Sequence, residues 1–238
     1  MSNNTSIPYI VCHMLTSIDG KVTGKFLEQK NSEIASEEYY RINRESHPDA
    51  FACGKITMNG SFTKDFKPDL EKFKDINISN EDYINKKNYK FFAVSYDRKG
   101  TLGWKDSHII DDDPGYNNAH IIEVLTEQVK KEYLGYLQSI GVSYIICGKE
   151  DIDLRLSLEK LKKYFDIKLL YLEGGSILNG SFFKNGLVDE ISLVVTPMTG
   201  DKEDLSLFNN GYMKDLELIR SSVLNSGIVH LLYKVKKN

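Results

Sequence analysis

Short apolar runs alternate with amphipathic segments along most of this 238-residue chain, and the alternation strongly restricts its fold. Such runs are typical of strands that are buried on both faces of a parallel sheet. The predicted strands are 9–16, 49–57, 91–95, 120–126, 144–148, 168–173 and 190–197. Two further apolar runs flank the turn Asn225-Ser226-Gly227 near the end of the chain and predict an antiparallel β-hairpin.

Helices are predicted between these strands. Ser36 is expected to cap a helix over 37–46 that Pro48 stops, and further helices are expected over 129–140, 155–165 and after Ser176. This order predicts an α/β fold with a mostly parallel central sheet, flanking helices and a C-terminal antiparallel hairpin. Residues 1–238 are interpreted as one domain. The long connection at about 58–90 is predicted to be an inserted loop or flap that packs through its aromatic residues.

Composition excludes several classes of function. The net charge of −3 and the pI of about 6.0 do not indicate nucleic acid or an anionic membrane as a partner. No apolar stretch approaches the roughly 20 residues of a membrane span, and the N-terminal residues lack the pattern of a secretory signal. Cys12, Cys53 and Cys147 are expected to be buried free thiols, so we expect a cytoplasmic protein. Without a Cys-x-x-Cys pair or a His-x-Glu motif, neither a metal site nor a zinc deaminase site is predicted.

The stretch YLEGGSILNGS (171–181) joins a predicted strand to a predicted helix. Glu173 stands at the strand end, and Gly174 and Gly175 allow a tight turn that another molecule can approach closely. Ser176 is expected to be the N-cap, with Gly186 as C-cap. A helix N-terminus that follows a glycine turn suits a phosphate group. The alternative is an ordinary turn between a strand and a helix.

Glycines and small hydroxyl residues recur at the ends of several predicted strands. Because ligands of open parallel sheets bind beyond the carboxyl ends of the strands, this pattern predicts a crevice for an extended, phosphate-bearing ligand. A dinucleotide fits better than a metal or a peptide does, although the G-x-G-x-x-G fingerprint is absent. The positions are 16–17, 54–57, Ser95, Gly148 and 173–176.

Four segments together resemble the reductase domain of riboflavin biosynthesis, whose fold is that of dihydrofolate reductase. They are MLTSIDGKVTG (14–24), Arg44 followed by Asp49-Ala50, CGKIT (53–57), and LEGGSILNGSFFKNGLVDEISLVVTP (172–197). The resemblance covers nearly the whole chain apart from residues 60–90.

The resemblance implies a stand-alone, NADPH-dependent reductase of a small heterocyclic or sugar-like substrate, similar to 5-amino-6-(5-phosphoribosylamino)uracil reductase. It implies a homodimer, and Arg44 and Glu173 as substrate-binding residues. The stretch MNGSFTKDF (58–66) lacks the arginine of the family's substrate motif, so we expect an altered substrate. The residues implied to bind the cofactor are Thr16, Ser17, Gly54, Thr57, Ser95, Gly174, Gly175, Ser176, Ile177 and Leu178, with Arg98 and Lys99 near a 2′-phosphate.

Glu173 and His13 are the candidates for supplying a proton to the substrate. The alternatives are that His13 is a hydrogen-bonded core histidine and that Glu173 only binds amides of the turn. Two other functions remain open at this point. The chain could reduce a pterin or dihydrofolate, or it could be a non-catalytic dinucleotide-binding protein.

Overall fold

The computed structural model describes residues 6–85, 87–209 and 213–236. The strands are β1 (Tyr9–Thr16), β2 (Ala50–Gly54), β3 (Phe92–Tyr96), β4 (His120–Leu125), β5 (Ser143–Ile146), β6 (Leu169–Leu172), β7 (Glu190–Val195), β8 (Leu216–Val223) and β9 (Val229–Val235). The α-helices are α1 (Lys30–Ser46), α2 (Lys55–Met58), α3 (Lys131–Ser139), α4 (Leu154–Phe165) and α5 (Ser176–Lys184). This order confirms the predicted α/β class, with mostly parallel strands and a C-terminal antiparallel hairpin.

Contacts divide the chain into two compact units. The first unit contains residues up to Pro8 and residues 49–169, and the second contains 9–48 and 170 onward. The second unit is built from two segments that residues 49–169 separate. Its contacts therefore join residues that are far apart along the chain.

The first unit carries four parallel strands in the order β5-β4-β3-β2. Every residue of β3, β4 and β5 is buried, as expected for strands covered on both faces. In this register Ser95 of β3 lies between Cys53 of β2 and Glu123 of β4.

The second unit carries its strands in the order β6-β1-β7-β9-β8. β1 and β7 are parallel, whereas β9 is antiparallel to both β7 and β8. Strand β8 lies at one end of this order, and almost all of its residues are exposed. Helix α1 packs on β1 and β7, and its buried residues Ser32, Ala35, Ile42 and Asn43 share one face.

The predicted start of the first helix is wrong. Helix α1 begins at Lys30, and the Ser36 hydroxyl donates to the carbonyl of Ser32 inside the helix rather than capping it. Ser32 and Ala35 are buried, so the buried face of α1 extends further toward the N-terminus than the predicted helix does. The predicted end is confirmed, because His47 adopts a left-handed conformation and Pro48 follows it.

The strand predicted over 49–57 is also too long. It ends at Gly54, and Lys55–Met58 form a helical turn in which Met58 is fully buried. Thr57 therefore lies in α2 rather than at a strand end. The apolar residues Ile56 and Met58 resemble a continuing strand in sequence, so only packing distinguishes the two structures.

The connection 59–90 belongs to the first unit and packs on other elements of that unit. Phe73 lies against Tyr136, Tyr83 pairs through its backbone with Tyr144, and Asp82 accepts from the Ile146 amide at 2.8 Å.

A second long connection, 97–119, was not predicted from the sequence. There the Asp97 carboxylate accepts from the amide of Leu102 at 2.9 Å and also from that of Thr101.

Candidate active site

The turn after β6 has a backbone that favours glycine. Gly174 has a φ of +106°, and a Cβ at this position would lie 3.3 Å from the Met14 methyl carbon. The Gly174–Gly175 peptide bond is cis. A side chain at 174 would therefore be strained by the backbone and crowded by β1.

Helix α5 begins directly after this turn. Its first intrahelical hydrogen bond runs from the Asn179 amide to the Gly175 carbonyl at 3.0 Å, so the amides of residues 176–178 precede the helical ladder. Gly175, not Ser176, is the N-cap, and the Ser176 hydroxyl donates to the carbonyl of Ser206. This corrects the prediction that Ser176 caps the helix. Ser176 is buried, whereas the apolar side chain of Ile177 is 60% exposed.

Glu173 is buried at the end of β6 and is held by α1. Its Oε1 atom accepts a hydrogen bond from Asn43 Nδ2. Asn43 is itself 1% exposed, and its Oδ1 atom has no hydrogen-bond partner among the described residues. Sequence analysis did not single out Asn43; its neighbour Arg44, which was predicted to bind substrate, is half-buried in the last turn of the same helix.

His13 is completely buried in β1, and both of its ring nitrogens have partners. Nε2 lies 3.0 Å from the Tyr39 carbonyl, Nδ1 lies 2.9 Å from Ser192 Oγ, and the ring stacks on that of Tyr39 at 4.3 Å. Burial lowers the pKa of His13 to about 4, so the ring is neutral at pH 7. This geometry supports the alternative that His13 is a hydrogen-bonded core histidine.

Thr16 and Ser17 lie at the end of β1 and are both buried. The Ser17 hydroxyl donates to Asp19 Oδ1 at 2.6 Å and accepts from the Lys21 amide at 2.8 Å. Asp19 also accepts from the Gly200 amide at 2.9 Å, and these bonds, that of Ser17 first, lower its pKa. Ser17 and Asp19 therefore order the loop that follows β1.

Three further residues of the predicted cofactor site, Gly54, Thr57 and Ser95, belong to the first unit. Gly54 precedes α2, Thr57 is half-buried within it, and Ser95 is fully buried in β3. Arg98, expected near a 2′-phosphate, forms an ion pair with Asp151.

Cys12, Cys53 and Cys147 are buried thiols that form no disulfide bond with one another, as predicted. In the described ranges, no three His, Cys, Asp or Glu residues are arranged to hold a metal ion. None of the helices in those ranges is long and apolar enough to cross a membrane.

The model of one known family, the RibD C-terminal domain, matches residues 111–230. The chain belongs to the RibD C-terminal domain family. This confirms the resemblance to the reductase domain of riboflavin biosynthesis.

Known reductases are similar in sequence to part of this RibD C-terminal domain. The 2,5-diamino-6-ribosylamino-4(3H)-pyrimidinone 5′-phosphate reductase of Methanothermobacter thermautotrophicus is 36% identical over 99 residues, which cover 39% of this chain and 45% of the relative. The match therefore spans less than half of that relative's length.

Two solved structures share the fold. RibD of Acinetobacter baumannii has a TM-score of 0.66 at 18% identity, over 98% of this chain and 59% of that one. The riboflavin biosynthesis reductase Rib7 of Saccharomyces cerevisiae has a TM-score of 0.63 at 14% identity, over 99% and 93% of the two chains.

Proposed function

We propose that this chain is an NADPH-dependent reductase of riboflavin biosynthesis that acts on a 6-ribosylaminopyrimidine 5′-phosphate. The observation that carries the proposal is the turn Glu173-Gly174-Gly175, which joins a buried carboxylate to the N-terminus of α5. Membership of the RibD C-terminal domain family and the similarity to the Methanothermobacter reductase support the substrate class.

The glycine turn fits a dinucleotide pyrophosphate. Gly174 lacks the Cβ that would crowd Met14, and the amides of residues 176–178 lie before the helical ladder, where a helix N-terminus favours anions. When bound, NADPH would supply the hydride, while the protein binds and orients the reactants. Thr16 and Ser17, together with Gly54, Thr57 and Ser95, are proposed as further cofactor-binding residues.

Glu173 is proposed to bind the substrate and to hold the proton that the reduced substrate requires. The amide of Asn43 fixes one oxygen of this carboxylate, and the unpartnered Oδ1 of Asn43 offers a buried acceptor for an amino group of the pyrimidine. Arg44 follows Asn43 on α1 and is proposed as a second substrate-binding residue. His13 is proposed to position α1 rather than to transfer a proton, because both of its ring nitrogens are engaged.

Fluorescence titration with NADPH tests the cofactor assignment. Gly174→Ala should weaken NADPH binding by about tenfold or more, because the added Cβ strains the turn that presents the amides. Gly60→Ala is the matched control, since a Cβ at Gly60 meets no atom within 4 Å. Equal affinity of Gly174→Ala and wild type would remove the turn from the cofactor site.

NADPH oxidation with a panel of substrates tests the reaction. We expect turnover with a 6-ribosylaminopyrimidine 5′-phosphate, and Glu173→Gln should lower kcat by about 10²-fold or more with little change in NADPH affinity. Turnover with a pterin or dihydrofolate alone would assign a different substrate class. NADPH binding without any turnover would indicate a non-catalytic dinucleotide-binding protein.

We also propose that the protein is a homodimer of the cytoplasm. Strand β8 supports the dimer because it is an edge strand with large exposed apolar side chains, namely Leu216, Leu218, Ile219 and Val223. The three buried, reduced cysteines support a reducing compartment. Sedimentation at micromolar concentration should give twice the chain mass of 27.2 kDa, and Leu218→Glu should shift the protein toward the monomer.

A further inference from the structure

A polar cavity of about 360 Å³ lies between α1 and the β8–β9 hairpin of the second unit. Helix α1 contributes the apolar Ile42, and the hairpin contributes the apolar Leu224; both pack with Ala35, Val194 and Ile228 in a small core. The polar side chains that line the cavity are Arg41, Glu45, Ser46, Arg220, Ser222 and His230.

The two guanidinium groups of this cavity differ in their counterions. Arg41 is neutralised on its own helix, since Nε lies 2.9 Å from Glu38 Oε2 and an Nη atom lies 2.8 Å from Glu45 Oε2. Arg220 has no carboxylate within 4.0 Å among the residues that the structure describes. The strand register shifts between Leu218 and Arg220, and such irregularities commonly redirect a side chain. Within the described part of the chain, Arg220 is therefore a cation of the cavity wall without a carboxylate counterion.

His230 is buried in the cavity wall and is 4% exposed. Its Nε2 atom lies 2.9 Å from Ser192 Oγ, which lies 2.9 Å from Nδ1 of His13. His13 Nε2 must donate to the Tyr39 carbonyl, so Ser192 donates to His13 and in turn accepts from His230 Nε2. Nδ1 of His230 is thus the ring atom that this chain of hydrogen bonds does not use, and it donates to an anion only when the ring is protonated.

The neighbouring charges that shift the pKa of His230 belong to the two guanidinium groups. Burial lowers its pKa first, and the positive charges of Arg220 and Arg41 lower it further. An anion in the cavity would oppose the effect of these charges and would pair with Arg220. The arrangement offers a guanidinium, a serine hydroxyl and an imidazole around one volume, which suits a tetrahedral oxyanion.

We propose that this cavity is a binding site for a small dianionic oxyanion, sulfate or a phosphate group, held by Arg220, Ser222 and His230. None of these three residues belongs to the predicted cofactor or substrate site. The proposal therefore does not depend on the proposed reductase activity, and its test requires neither NADPH nor substrate.

Titration of the full-length protein with sodium sulfate tests the site by calorimetry and by thermal unfolding, with sodium chloride keeping the ionic strength constant. Wild type should bind sulfate saturably, and Arg220→Gln should weaken binding by about tenfold or more. Arg155→Gln is the matched control, because Arg155 is an exposed helical arginine paired with Glu159 and distant in sequence from the cavity residues. Absence of saturable binding, or equal binding by Arg220→Gln, would overturn the proposal.

The pH dependence of sulfate binding provides a second test, since sulfate itself does not titrate between pH 5.5 and 7.5. The charged and titratable groups around His230 are Arg41 and Glu45 from α1, Arg220 from β8 and, through Ser192, His13 from β1. Because a bound anion raises the pKa of His230, affinity should increase as the pH falls through this range. His230→Gln should still bind sulfate, but its affinity should no longer depend on pH in this way.

Ribose 5-phosphate in place of sulfate tests whether the site accepts a phosphate monoester. Binding of ribose 5-phosphate would support the proposal, and its absence would restrict the site to free oxyanions.

Discussion

His13 of the second unit and Glu123 of the first are both completely buried titratable side chains on parallel strands, yet their environments differ. His13 has a partner for each ring nitrogen. Glu123 accepts from the indole Nε1 of Trp104 through Oε1, while Oε2 has no partner among the described residues. Burial, followed by the charge of Asp97, raises the pKa of Glu123 well above its usual range.

Burial therefore favours the neutral form of both groups, but with different consequences for stability. A buried polar group with all its hydrogen bonds made fixes the elements around it, whereas one with an unpartnered atom is a local weakness. We infer that His13 stabilises the packing of α1 on β1 and β7, and that Glu123 makes the first unit sensitive to pH.

The largest expected effect is that of His13→Ala. This change removes the ring that stacks on Tyr39, together with its hydrogen bonds to the Tyr39 carbonyl and to Ser192. It should lower the free energy of unfolding by about 3–5 kcal/mol, measured by urea denaturation at pH 7. His47→Ala, at an exposed histidine, is the control. A loss below about 1 kcal/mol for His13→Ala would contradict the structural role.

Acid should destabilise wild type through His13. Its pKa falls from 6.5 in the unfolded chain to about 4 in the folded protein. Between these values the unfolded state binds more protons, so stability decreases as the pH falls from 6.5 toward 4, by about 3 kcal/mol in total. Urea denaturation of wild type and His13→Gln across this range should show a shallower pH dependence in the variant. Identical slopes would indicate that other groups, such as His120, carry the effect.

Trp104→Phe should have an intermediate effect. The indole is the donor to Glu123, so its removal leaves a second carboxyl oxygen buried without a partner. We expect a loss of about 1–3 kcal/mol in the free energy of unfolding at pH 7. In the double variant Trp104→Phe with Glu123→Gln, the two effects should not be additive; additivity would show that the indole and the carboxyl do not interact.

Glu123→Gln should change stability least at low pH. The folded-state pKa of Glu123 is raised, so its contribution is fully present below the usual glutamate range and is lost as the pH rises through the folded value. Wild type should therefore lose stability with rising pH above about 4.5 through this group, and the variant should lack that component. Thermal unfolding of both proteins at pH 5 and pH 8 measures the difference. If the variant kept the wild-type pH dependence of stability, ionisation of Glu123 would not lower the free energy of unfolding.

Strands were the best-predicted part of this protein. The bounds of β1 agree with the predicted 9–16, and the hairpin forms around the predicted turn. The end of α1 at Pro48 was also predictable, since proline acts locally. The start of that helix and the helical turn at Thr57 were not, because the burial of Ser32 and Met58 decides them.

In the candidate site as well, local patterns were predictable and contacts between distant residues were not. Glu173 and the glycines were visible in sequence because a carboxylate and two glycines between a strand and a helix form an unusual local pattern. Asn43 was not visible, since its partner Glu173 is 130 residues away and an asparagine within a helix carries no signal of its own. The pairing of Glu123 with Trp104 was missed for a related reason: the connection 97–119 was not recognised as structured.

The sequence alone determined the order of strands and helices, the α/β class and the position of the glycine turn, because each depends on neighbouring residues. Tertiary structure decided which polar side chains are partnered and which are not. The bond between His13 and Ser192 joins residues 179 positions apart, and Arg220 reaches the cavity of His230 from another strand. Hydrogen bonding and burial act through space, so their outcome becomes defined only when distant segments pack together.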